Sequence, residues 1–150
     1  MSKETSLAYE RIDALDLSFL LDELQDKERG AGWTEEKVQD AIANYKLFLK
    51  LRATHPKVEL VPTATIDEVW HSHILHTERY IEDCKAIFGK YIHHRPSFKK
   101  DPAELAEFKK KFKETQRLMF EAFGEPFEEK SAGFCLDPSP SCCCYEPRNA

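Results

Sequence analysis

Apolar residues recur along the chain at the three-and-four spacing of α-helices, in four stretches parted by glycine, proline and charge. Leu17, Leu20, Leu21 and Leu24, with Phe19 alongside, form the first, with Asp16 as candidate cap and Gly30-Ala31-Gly32 as its stop. The second opens at Thr34, a favourable N-cap, and Glu35 and Glu36 suit the positive end of the helix dipole. Its stripe is Val38, Ala41, Ile42, Tyr45, Phe48 and Leu49, and it ends near His55-Pro56. Val58 to Val61 read as an extended connector closed by Pro62, because a lone short strand has nothing to pair with. The third stretch begins with Thr65 and Glu68 at capping-box spacing and is predicted to run to Phe88, with Gly89 as its stop. In the fourth, Asp101 is the cap, Pro102 takes the first helical position and Glu104 the third, ahead of Leu105, Phe108, Phe112, Met119 and Phe123 on one face.

The pattern predicts an all-α fold, a compact bundle of about four helices over residues 1–127, followed by a flexible Pro/Cys-rich tail over 128–150. With 150 residues, 41% of them hydrophobic, the chain suffices for one domain with its own core. Its formal net charge of -5 disfavours nucleic acid and anionic membrane surfaces as partners. The lysines of the fourth helix are interleaved with Glu104, Glu107 and Glu114 and read as a solvated face. The polar start, Met1-Ser2-Lys3-Glu4-Thr5, has no apolar core of a secretory signal, and no apolar run approaches the roughly 20 residues of a membrane span. Five cysteines, an odd number, do not suit a secreted disulfide framework, so a cytoplasmic location is expected.

Chemistry enters with the histidines of the third stretch. At about 100° per residue, Ile66, Trp70, Ile74, Ile81 and Phe88 should face the core, with His73 and Tyr80 on one shoulder and Asp67, His71 and Glu78 on the other. His76 points away from them, toward water. His71 and His73 stand too far apart around a helix to share an ion. Asp67 and His71, four residues apart, share a face, so their carboxylate and imidazole suit one metal ion or an acid/base pair. A third ligand must come from elsewhere, and His93 or His94, in the loop after Gly89, is in position to fold back. The plain alternative is that Asp67 serves the helix dipole and His71 merely hydrogen-bonds to it. His73 reads first as a core-edge histidine bonded to Thr77 or Tyr80, within a buried polar network of Trp70, His73, Thr77, Tyr80 and Cys84, and second as a ligand. Cys84 reads as a small apolar residue.

The string Thr65-Ile66-Asp67-Glu68-Val69-Trp70-His71-Ser72-His73-Ile74-Leu75, continued by Thr77, Tyr80, Asp83-Cys84, Phe88-Gly89 and His93-His94, resembles the motif of the glycine-rich domain-containing protein-like family. That family is a domain of unknown function shared by bacterial proteins and longer plant proteins, and the resemblance covers roughly residues 15 to 125. It implies a helical fold and carries over no catalytic residue. The chain resembles a short bacterial form without the glycine-rich region, and His76 stands where an acidic residue is expected.

In the tail, Cys142, Cys143 and Cys144 are consecutive, and neighbours in an extended chain point opposite ways. Cys142 and Cys144, with Cys135 upstream, offer three thiolates to a soft ion or one thiolate to His71 and His94, or the tail is acylated, oxidised or acted on by a modifying enzyme, or it is unstructured and without a task. The leading expectation is a protein that binds a divalent transition metal, zinc or iron, through Asp67, His71 and His93 or His94, as an enzyme or as a non-catalytic site. The alternative is an interaction module or scaffold whose cysteine tail binds a protein partner or is modified.

Overall fold

A computed structural model describes residues 1–95 and 101–124, and all regular structure among them is helical. The six α-helices are α1 (Lys3–Asp13), α2 (Leu21–Gln25), α3 (Glu35–Thr54), α4 (Ala64–Leu75), α5 (Thr77–Phe88) and α6 (Pro102–Phe123), with a 3-10 turn at Ser18–Leu20. The all-α expectation holds, and the helix count rises from about four to six for two physical reasons.

The first is α1, which the hydrophobic pattern does not announce. It buries only Ala8 and Ile12, too thin a stripe to stand out, and is started by the Ser2 hydroxyl accepting the Thr5 N–H at 3.1 Å. The second is a break at His76 in what reads as one helix from Thr65 to Phe88. His76 adopts φ -83°, ψ 70°, outside the helical region, and its carbonyl accepts the Tyr80 N–H at 2.9 Å as the first bond of α5. With neither proline nor glycine at the break, the sequence gives no local warning. The phase shift has a visible consequence. Ile81, predicted for the core, is 40% exposed, whereas Tyr80, predicted for its shoulder, is 2% exposed.

Thr34, Asp101 and Gly89 act as expected, whereas Thr65, expected with Glu68 to open its helix as a capping box, lies inside α4, which begins at Ala64. Thr34 caps α3 by accepting the Lys37 N–H at 3.2 Å, and Asp101 caps α6 by accepting the Ala103 N–H at 2.8 Å. Gly89 and Gly124 end α5 and α6 in the left-handed conformation, at φ 70° and 69°. Asp16 stands one residue before the N-cap of the 3-10 turn, Leu17, and accepts from the Ser18 N–H and hydroxyl at 2.9 and 2.6 Å, so it does not open a long helix.

The described residues form two compact units. The first comprises Met1–Pro56 and Ile66–His93, in which α1 packs on α3 and α5, and α2 packs on α3. Ile12, Leu20, Leu24, Val38, Tyr45, Phe48, Leu51, Ile66 and Val69 are its most deeply buried side chains. The Arg11 guanidinium donates to the Ala86 carbonyl at 2.6 Å and Tyr9 bonds Thr54 at 2.9 Å, tying α1 to its neighbours. The second unit comprises residues 57–65, 94–95 and 101–124. Here Val61 and Phe112 are buried with Phe108 packed against them. The Val61 N–H, with no strand to pair with, donates at 2.9 Å to the Thr115 hydroxyl, which itself donates to the Lys111 carbonyl at 2.9 Å. Lys111 also pairs with Glu59. The 58–61 connector forms no strand.

Candidate metal centre

Asp67 and His71 lie one turn apart on α4, and helical geometry alone puts their side chains side by side. The His71 Nε2 is 3.4 Å from the Asp67 Oδ2, with the side chains 44% and 17% exposed. That distance exceeds the usual 2.7–3.2 Å of a direct N–H···O bond. It matches the separation of two donors around a tetrahedral ion with bonds near 2.0–2.2 Å, which is about 3.4 Å. Asp67 and His71 are both half-buried, and so is His94, which belongs to the second unit. A group of two imidazole nitrogens and one carboxylate oxygen can hold a borderline transition-metal ion. His93 is exposed, with its ring 4.8 Å from that of Tyr91.

His73 has a different environment. Its ring is 2% exposed, its Nδ1 is 2.8 Å from the Tyr45 hydroxyl, and its Nε2 is 2.8 Å from the Asp83 Oδ2. Burial holds its pKa below the ordinary histidine value, against the raising pull of Asp83. The neutral ring then has one tautomer that satisfies both contacts: Nε2–H donates to the carboxylate and Nδ1 accepts the tyrosine O–H. Both nitrogens are committed to the core, so the bonds run to Tyr45 and Asp83 in place of the expected Thr77 or Tyr80. Burial pushes the Tyr45 hydroxyl far up as well.

Beside it, the Trp70 indole N–H donates to the Tyr80 hydroxyl at 3.0 Å, and that hydroxyl donates to the Ile92 carbonyl at 2.5 Å. Cys84 is buried and free, with its thiol pushed up by desolvation, which disfavours the thiolate that nucleophilic or ligand chemistry needs. Thr77, expected in this network, is exposed at the start of α5. His76 is half-exposed and pairs through Nε2 with Glu23 at 2.7 Å, its ring 4.8 Å from Phe19. Cys135, Cys142 and Cys144 lie outside the described residues.

Sequence reading missed Tyr45, Asp83 and Glu23. Tyr45 carried a usable signal, since a tyrosine in an otherwise apolar stripe needs a hydrogen-bond partner once buried. Asp83 and Glu23 carried none, because their partners are set by tertiary packing.

A family model described as UCP032817-like matches residues 10–120. Among curated proteins, Glycine-rich domain-containing protein 2 of Arabidopsis thaliana is 41% identical over 61 residues, covering 38% of this chain and 8% of that protein. Glycine-rich domain-containing protein 1 of Arabidopsis thaliana is 39% identical over 61 residues, covering 38% of this chain and 7% of that protein. The matched stretch is thus less than a tenth of the length of either relative. No solved structure matches the chain significantly. Among the described residues, no helix is long and apolar enough to cross a membrane.

Proposed function

The chain belongs to the UCP032817-like family, and from that premise we propose that it is a transition-metal-binding helical protein, with Asp67, His71 and His94 as ligands of one zinc or iron ion. The observation that carries the reading is the 3.4 Å separation of the Asp67 and His71 donors, long for a hydrogen bond and apt for two ligands of one ion. Half-buried His94 is taken as the third donor in preference to His93, which is exposed against Tyr91. Two nitrogens and one oxygen favour borderline ions over the hard, all-oxygen preference of calcium and magnesium. In this reading the protein works in the cytoplasm without nucleic acid, and its tail cysteines meet a protein partner or a modifying enzyme. Catalysis at the ion is a further possibility that an open coordination position permits.

Elemental analysis of the purified chain tests the proposal. One equivalent of zinc or iron per chain, lost in His71→Ala while the far-ultraviolet dichroism is kept, supports it. A metal-free protein that takes up no metal on incubation overturns it.

A second reading is favoured by the buried network. Trp70, His73 and Tyr80 are bonded inward, as expected of an interaction module whose motif residues serve the fold. A metal-free chain that captures a partner through residues 128–150 would establish that alternative.

A further inference from the structure

We infer that the ion at Asp67, His71 and His94 keeps at least one coordination position for an exchangeable solvent molecule, and that this position takes a small anion. The inference rests on the metal-binding reading above. Zinc, iron and cobalt take four to six donors, so three protein ligands leave one or more places to fill.

The other histidines and the cysteine among the described residues are engaged elsewhere. Both His73 nitrogens are bonded, to Tyr45 and Asp83. His76 pairs with Glu23, the His55 Nδ1 lies 3.3 Å from the Leu51 carbonyl, and His93 packs edge-on against Tyr91. Cys84 is buried with its thiol form favoured. The His71 side chain is 44% exposed, so solvent reaches the donor set. Water therefore fills the remaining position, and an anion with a lone pair, a carboxylate or an inorganic oxyanion, displaces it. Binding is a ligand substitution: the anion donates an electron pair to the metal, water departs unchanged, and no electron is transferred.

The test uses the full chain loaded with cobalt(II), whose visible spectrum reports coordination, and sodium azide as the anion. A visible band that shifts saturably with azide, with no intense thiolate-to-cobalt band in the near ultraviolet, supports the inference. Cobalt that binds but ignores azide, or that shows the thiolate band, overturns it and leaves the metal reading standing. Failure of cobalt to bind at all overturns the metal reading itself. His71→Ala should weaken cobalt binding by more than about a hundredfold, beyond the 10–100-fold that outer hydrogen-bond partners cost, while His93→Ala should leave both binding and the azide response unchanged.

Discussion

His73 is the most constrained polar side chain of the first unit, and its chemistry follows from burial. Its pKa is held below the ordinary 6.5, chiefly by desolvation. The folded chain therefore takes up this proton less readily than the unfolded chain. This contribution to stability is full above about pH 6.5 and is lost as pH falls below it toward the folded value. The groups that act on the ring are Asp83, Arg79 and His76, with the Tyr45 hydroxyl on Nδ1. Urea unfolding at about pH 8 and pH 5.5 should show a steeper loss of stability for the parent chain than for His73→Gln, and equal slopes would refute the assignment. Tyr45→Phe removes the hydroxyl that donates to Nδ1 and leaves a buried acceptor unsatisfied, a cost of about 1–3 kcal/mol readable from the same unfolding curves. At this scale the sequence made the Asp67 and His71 pair legible, because four-residue spacing on a helix fixes neighbours locally. It hid Tyr45 and Asp83 as partners of His73, because bonds across 28 and 10 residues depend on how helices pack.

Elements were legible where their ends carry local chemistry. Thr34, Asp101 and Gly89 mark their termini by capping or by positive φ, and each does so in the structure. The break at His76 was illegible for the opposite reason, since tertiary contacts to Glu23 and Phe19 flank it and no breaker residue stands there. Thr34→Ala should cost about 1 kcal/mol in thermal or chemical unfolding through the lost cap of α3. The loop between α2 and α3 depends on a close approach. A Cβ at Gly30 would lie 1.7 Å from the Glu23 carbonyl oxygen, so the backbone must shift to accept any side chain. Gly30→Ala is expected to destabilise by more than about 1 kcal/mol, whereas Gly124→Ala meets no neighbour within 4 Å and bears only the strain of its φ of 69°. In the second unit, Thr115→Val should strip the Val61 amide of its acceptor. Hydrogen exchange at that amide should then accelerate relative to the parent chain, and unchanged protection would show that the bond does not hold the connector.

At the scale of the whole molecule, the hydrophobic pattern was sufficient for the all-α class, because helical stripes are repeated over most of the described chain. The family match over residues 10–120 agrees with the motif that suggested it. The donor set needed more than pattern. A search along one helix yields Asp67 and His71, but two adjacent histidines in a loop do not announce which is exposed, His93, and which is half-buried, His94. If metal binds the folded chain alone, it should also raise thermal stability by mass action, by about 2.7 kcal/mol at a free concentration one hundred times the dissociation constant. The most direct test of the central claim is calorimetric titration of the metal-stripped full chain with zinc. One site per chain, abolished in Asp67→Ala, His71→Ala and His94→Ala and retained in His93→Ala, is the predicted result. Binding that survives His71→Ala or His94→Ala unchanged, or no binding by a folded parent chain, would contradict it.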